Sequence, residues 1–326
     1  MMSDFVQQQH SVCVFGSSDS WVILSPIEQS IKRKIESIGT PLKDWDIQIN
    51  YGIKTGYNDA FIISTEKRNE ILSKCQSPEE RKRTEELIRP ILRGRDIKRY
   101  GYDWADLWLI YIPWHFPYQF DDTIQGASEK AENAFKKLYP SVYSHLLNYK
   151  VQLSNRNKAE TGIRYEWYAM QRWGAKYWED FSKPKLVYME IQTDNPEEGY
   201  PFPCYSYDNT KAVTLNTAYI MSSNSIDVRY VLGILNSRLG KFLVKLYVTQ
   251  LQERQFRMLA QYVQHFPIVR TDAIKVSHMV ELVDKAITKD RVAYDREIDK
   301  LAYAIYHLTK EEINYLDNRQ LKYIVV

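Results

Sequence analysis

Cysteine is scarce in this sequence and histidine is scattered. The three cysteines, Cys13, Cys75 and Cys204, stand far apart with no CxxC pair, and the six histidines form no HxxxH or HExxH. Neither a disulfide framework nor a zinc site is therefore expected. Long apolar runs are also missing: nothing approaches the about 20 residues of a membrane span. The N-terminal "MMSDFVQQQHSVCVF" has no basic segment followed by an apolar one, so no secretion signal is read. A soluble protein of the reducing cytoplasm, with no membrane contact, is the expectation. Nor is there an excess of charge of one sign. Lys and Arg number 44 against 41 Asp and Glu, a net +3, which excludes a basic tail that binds polyanions by bulk charge and leaves only local clustering.

Several catalytic signatures are absent as well. An AdoMet-dependent methyltransferase needs a glycine-rich turn after its first strand and, for base amino groups, an Asn/Asp-Pro-Pro-Tyr-like loop. Neither occurs; "DNPEEGYP" supplies Asn195 and Pro196 without a second proline and reads as a turn. "GIKTG" places its lysine before the second glycine, unlike a phosphate-binding P-loop. No histidine stands in a recognisable nucleophile context. The nearest approach to a nuclease is "WEDFSKPKLVYMEIQ", where Asp180 and Glu190 imitate a Mg²⁺-binding pair, although a salt-bridged Glu190 in a sheet explains it as well. The chain on its own is expected not to be an enzyme; a standalone Mg²⁺-dependent nuclease and a protein-docking module are the alternatives.

What is present is a globular composition, 44% hydrophobic over 326 residues, enough for one large domain or two modest ones, with 25 tyrosines, 8 tryptophans and 11 phenylalanines. "SPIEQSIKRKIESIG" reads as a helix with Ser25 as N-cap, Pro26 in the first turn, Glu28 closing a capping box and Gly39 as stop. "DWDIQINYG" and "DAFIIS" read as strands joined by the stretch between them. "SPEERKRTEELIRPIL" reads as a helix broken at Pro90, and "RDIKRYGY" and "LWLIYIP" as two further strands of the same sheet. Helical pattern returns over 128–155, divided at Pro140. "KLVYMEIQ" and "AYIMSS" are strands, "VRYVLGILNSRLGKFLVKLYV" one long amphipathic helix, and the last fifty residues helical, with Thr309 and Glu312 as a second capping box. The expected fold class is mixed α/β (α+β): a flexible segment over 1–20, a sheet-based domain with peripheral helices over 21–270, and a helical C-terminal segment over 271–326.

Four stretches cluster cations or amide side chains. In "NYGIKTGYN", Gly52 and Gly56 permit close backbone approach to a ligand, and Lys54, Thr55 and Asn58 supply donors for phosphate oxygens; a simple strand connection is the plainer reading. "RPILRGRDIKRY" holds Arg89, Arg93, Arg95, Lys98 and Arg99, with Asp96 available to neutralise a neighbour. In "NRNKAETGIRYEWYAMQR", Arg156, Lys158, Arg164 and Arg172 interleave with Tyr165, Trp167 and Tyr168, the composition of a nucleic-acid face or of a core strand with solvated flanks. "VTQLQERQFRMLAQYVQHFPIV" gathers Gln250, Gln252, Arg254, Gln255, Arg257 and Gln261, side-chain types that read adenine and guanine, or else a polar helical face.

Taken in order, "WDIQINYGIKTGYNDAFII", "IRPILRGRDIKRYGY", "KPKLVYMEI", "YVLGILNSRLGKFLVK", "FPIV" and "EIDKLAYAIYHLTKEEI" resemble the C-terminal specificity region of TaqI-like and type IIG restriction-modification enzymes, over roughly residues 21 to 317. The resemblance implies a target recognition domain that selects a short double-stranded DNA sequence and directs a separate N6-adenine methyltransferase, and with it an endonuclease domain or subunit. It implies no cofactor in this chain, AdoMet and Mg²⁺ belonging to the missing catalytic domains, and a detached or truncated specificity module. Base-reading residues of such domains vary with the target, so the nominations rest on charge: Lys54, Thr55, Asn58, Arg93 and Arg95 for the DNA backbone, and Arg156, Arg164, Arg172, Gln250 and Arg254 for base edges.

Overall fold

The computed structural model describes residues 24–195, 201–252, 254–289 and 293–318. The expected flexible segment 1–20, Cys13 and Pro196 lie outside the described residues. Helices and short sheets alternate along the chain, the mixed α/β class that the patterning predicts. The chain divides into two compact units, one of Met1–Ile47, Gln192–Pro203 and Ser225–Val326, the other of Gln48–Ile191 and Cys204–Asn224. Among the described residues no helix is long and apolar enough to cross a membrane.

The first unit is mainly helical. Helix Pro26–Ile38 starts as its capping box dictates: the Ser25 N–H donates to Glu28 Oε2 at 2.7 Å and the Glu28 N–H to Ser25 Oγ at 3.5 Å. The second box also forms, with the Thr309 N–H donating to Glu312 Oε2 at 2.8 Å and the Glu312 N–H to Thr309 Oγ1 at 3.3 Å. Glu312 further accepts from Lys34 at 2.6 Å and from Ser30 at 2.9 Å, which ties the last helix to the first. The expected single helix over 228–248 is two, Val228–Asn236 and Arg238–Tyr247. Ser237 separates them: its hydroxyl donates to the Ile234 carbonyl at 2.7 Å and accepts from the Gly240 N–H at 3.1 Å, ending one helix and capping the next. Hydrophobic periodicity runs through this break because both helices bury apolar faces. Met279, Leu282, Val283 and Ala286 of helix Ala273–Thr288 are buried, as their spacing predicts, and this helix packs on Val228–Asn236 and Asp295–Ile305.

The second unit holds two four-stranded sheets. One runs Gln48–Tyr51, Ala218–Ser222, Lys185–Met189, Tyr205–Asp208, antiparallel throughout. The other runs Ile62–Ser64, Leu107–Ile110, Ile88–Leu92, Val213–Thr214, with only the last pair parallel. The expectation that 48–51 and 62–64 are neighbouring strands is thus corrected: each joins a partner distant in sequence, and the stretch between them passes from sheet to sheet. Pro90 breaks no helix. Helix Pro78–Leu87 ends first, and Pro90 lies in strand Ile88–Leu92 where pairing with 107–110 stops and pairing with 213–214 begins. "RDIKRYGY" forms no strand; Gly94–Asp96 is a 3-10 turn followed by an isolated Ile97–Tyr102 bridge.

Gly52 shows why this crossing admits no side chain. A Cβ there would stand 2.1 Å from the Leu215 carbonyl oxygen and 2.3 Å from that of Thr214, both backbone atoms. Gly52→Ala should therefore cost about 1–3 kcal/mol through overpacking, read as a lowered urea midpoint with an unchanged m value.

Candidate nucleic-acid interface

At the end of strand Gln48–Tyr51 the chain is held at every step. The Gly52 N–H donates to the Ala218 carbonyl at 2.8 Å and the Ile53 N–H to that of Thr214 at 2.8 Å. Lys54 and Arg172 exchange backbone hydrogen bonds, N–H to carbonyl, at 2.9 and 2.8 Å. These N–H groups are consequently spent on protein carbonyls, and the expectation that the glycine loop offers them to a phosphate is corrected. Gly56 turns the chain at φ +80°, a region that strains any L side chain. Thr55 is buried, and its hydroxyl donates to Asn58 Oδ1 at 2.6 Å; Asn58 itself is exposed at the start of helix Asn58–Phe61.

The Lys54–Arg172 bridge has a consequence for charge. Residues directly opposite in an antiparallel pair point to the same face with Cβ atoms about 5 Å apart, and like charges there destabilise the pair. Both side chains are exposed, and among the described residues neither meets a carboxylate within ion-pair distance. An anion placed over the bridge relieves this repulsion. The Arg172 guanidinium donates through Nη1 to the Tyr51 hydroxyl at 3.0 Å. Tyr51 packs its ring against Tyr177 and Tyr219, with centroids 6.4 and 6.1 Å away. Burial pushes the Tyr177 hydroxyl up to about 12, so it stays neutral beside the cations.

Several of the other candidate residues are occupied by partners of their own. Arg156 is buried rather than presented: its guanidinium donates to the carbonyls of Leu153 at 3.2 Å and Trp167 at 3.0 Å, and also to those of Thr55 and Ala169. Arg156 is therefore withdrawn as a base reader, and Thr55, equally enclosed, as a backbone contact. The reading of Tyr165, Trp167 and Tyr168 as a nucleic-acid face is corrected too, since all three are buried in the core of this unit. Arg93 clasps Asp96 with Nε to Oδ2 at 2.9 Å and Nη2 to Oδ1 at 2.7 Å, and hydrogen bonding to that carboxylate holds the guanidinium above its ordinary value. Arg95 is exposed on the same turn. Arg89 donates to the Lys211 carbonyl at 2.9 Å and to Ser182 at 3.1 Å. Arg164 is exposed, 4.0 Å from Glu160, on a turn that passes through Gly162.

Gln250 and Arg254 belong to the other unit, on a hairpin of Gln250–Gln252 and Gln255–Arg257 where a polar helical face was the alternative. Gln250 is exposed and donates to the Gln252 carbonyl at 3.1 Å; Arg254 takes φ +64°, and its carbonyl accepts from the Asp194 N–H at 2.8 Å. Of the ten nominees, the described contacts bring Lys54, Thr55, Asn58, Arg156 and Arg172 together. Tyr51 was overlooked, although its place at the strand end immediately before "GIKTG" was the available signal.

The nuclease alternative finds a carboxylate already engaged. Asp180 is buried, accepting from Asn50 at 3.1 Å and pairing with Lys183 at 2.7 Å. Among the described residues no group of three or more His, Cys, Asp or Glu could hold a metal ion.

Comparison with known proteins gives this geometry a family. The model of the TaqI-like C-terminal specificity domain matches residues 89–268, more than half of the chain. Type II methyltransferase M.XhoI of Xanthomonas vasicola is 22% identical over 307 residues, covering 92% of this chain and 47% of that protein. Type II methyltransferase M.MjaIV of Methanocaldococcus jannaschii is 20% identical over 190 residues, 58% of this chain and 54% of that protein. The chain thus spans about half the length of these curated relatives. The type IIL restriction-modification enzyme MmeI, solved in complex with DNA, shares the fold, with a TM-score of 0.52 at 14% identity over 86% of this chain and 36% of that one. The chain belongs to the TaqI-like C-terminal specificity domain family of restriction-modification enzymes.

Proposed function

We propose that the chain selects a short sequence in double-stranded DNA and directs to it a separate N6-adenine methyltransferase domain or subunit, joined in the assembled enzyme to an endonuclease. The observation that carries this reading is the Lys54–Arg172 bridge, two exposed cations set opposite one another without a carboxylate among the described residues. Family membership supports it, as does MmeI, a fold relative solved with DNA. Lys54, Asn58 and Arg95 contact phosphates; Arg164, Arg172, Gln250 and Arg254 supply base contacts. AdoMet and Mg²⁺ belong to the catalytic domains, and the compartment is the cytoplasm.

Docking of a partner subunit through the helices expected over 229–247 and 276–306 is the weaker reading. Most of their apolar side chains are consumed within their own unit: Val231, Leu235, Leu239, Leu243, Met279 and Val283 are all buried, and Ile274 is the large apolar side chain left exposed on helix Ala273–Thr288. Filter binding to random duplexes at low and moderate salt tests the DNA reading. Lys54→Ala should weaken binding to every duplex alike and reduce the slope of log K against log salt by about one. A parent protein that binds no duplex at low salt refutes the reading.

A further inference from the structure

We infer that Tyr51 is a specificity-determining positioning residue, which aims the Arg172 guanidinium at a guanine edge in the major groove; this deepens the DNA reading above and rests on it. First, Arg172 is fixed at both ends. Its backbone is locked to Lys54 by the reciprocal bonds at 2.9 and 2.8 Å, and its Nη1 is held by the Tyr51 hydroxyl at 3.0 Å. Second, Tyr51 is itself fixed. Its strand pairs with Ala218–Ser222 in the register Tyr51 to Tyr219, and its ring lies against those of Tyr219 and Tyr177, yet the residue keeps 37% of its surface exposed.

Third, the partner is neutral. Three other arginines of this protein show the contrasting arrangement, each met by a carboxylate: Arg93 by Asp96, Arg229 by Asp227 and Asp284, Arg238 by Asp317. A carboxylate orients a guanidinium but cancels its charge and fills its fork. A tyrosine hydroxyl takes one of the five N–H donors and leaves the charge and the other four in place. An arginine presented in this way suits bidentate contact with guanine O6 and N7, for which pre-organisation of the fork is what discriminates one base pair from another. Lys54, beside it on the same face, supplies sequence-independent attraction to phosphate.

The test is selection from a randomised duplex library by the full chain, followed by competition binding with single-base variants of the enriched sequence. Tyr51→Phe removes one hydroxyl and keeps the ring. It should lower discrimination at one G·C pair roughly five- to tenfold, while binding to unrelated duplexes at low salt and the urea midpoint stay at parental values. Arg172→Ala should abolish preference at the same base pair, and Tyr51→Phe added to it should change selectivity no further, because the hydroxyl acts only through the guanidinium. Undiminished selectivity in Tyr51→Phe, or equal weakening of all duplexes by either variant together with a flatter salt slope, overturns the assignment and leaves the DNA reading standing. If the parent protein binds duplexes but enriches no sequence, selective recognition itself fails, and the inference with it.

Discussion

Asp208→Leu should lower stability by about 3–5 kcal/mol in a urea titration, because it strands a charge inside the protein. Lys185 and Asp208 face each other in strands Lys185–Met189 and Tyr205–Asp208, and both side chains are wholly enclosed. Without the carboxylate, the Lys185 ammonium retains, among the described residues, the Phe181 carbonyl at 2.8 Å. Asp208 also accepts from Tyr102 at 2.9 Å, from the Thr210 N–H at 3.0 Å and hydroxyl at 2.6 Å, and from the Ala212 N–H at 3.2 Å, so the turn after the strand loses its anchor as well. Lys185→Met should cost less, since those donors still hold the buried carboxylate. The double variant Lys185→Met/Asp208→Leu should be more stable than the sum of the two losses predicts, since no charge then remains buried.

The pair also gives the pH dependence a sign. Burial pushes the Asp208 carboxyl up, but the charge and hydrogen bond of Lys185, with the side-chain and backbone hydrogen bonds of Thr210, outweigh it and hold the group below its ordinary value. A depressed carboxyl contributes stability that is fully present above its unfolded value, about pH 4, and lost as pH falls through the folded one. Acidification from neutrality should therefore weaken the parent protein increasingly below about pH 4, and Asp208→Leu should lack that part of the loss. Urea midpoints of the two proteins at neutral and acid pH measure it; parallel curves contradict the assignment.

Arg156→Ala should cost a comparable about 3–5 kcal/mol, from an emptied site and unsatisfied carbonyls together. The guanidinium ties the Thr55 turn to the Trp167–Ala169 segment and to the end of helix Lys150–Asn155, and it lies over the rings of Phe61 and Tyr165 at 5.3 and 5.7 Å. Burial lowers it to about 10, so at neutral pH it is a desolvated cation surrounded by backbone dipoles. Arg156→Lys keeps the charge but loses the planar fork, and should fall between parent and alanine variant. Because Thr55 adjoins Lys54 in the chain and the Arg156 carbonyl accepts from Thr161 Oγ1 at 2.7 Å near the Arg164 turn, DNA affinity should fall with stability rather than independently of it. An alanine variant with a parental urea midpoint would show that these carbonyls find other donors.

The contrast between Arg156 and Arg172 shows where sequence reasoning stopped. Both stand in one basic and aromatic stretch, and composition treats them alike. One lies 8% exposed beneath four carbonyls, while the other rises beside Lys54 with its guanidinium on a tyrosine hydroxyl. Their partners, Thr55 and Tyr51, come from about a hundred residues earlier in the chain, a separation that no local pattern encodes. The same holds for the strand "INY", legible as a strand but paired with a segment near residue 220 rather than with its sequence neighbour.

What the sequence determined by itself was local or cumulative. Capping boxes at Ser25 and Thr309 formed because their hydrogen bonds span three residues and need no tertiary partner. The mixed α/β class emerged because apolar periodicity sums over many positions, and the family resemblance because a series of short segments in order is distinctive. Tertiary structure alone decided which cations are structural and which face outward, where Ser237 divides a continuous apolar stripe into two helices, and that Tyr51 stands behind Arg172. Each of those outcomes depends on burial and on hydrogen-bond partners brought together by the fold, and a side chain's chemistry is the same in either setting until its neighbours fix whether its donors meet carbonyls or open solvent.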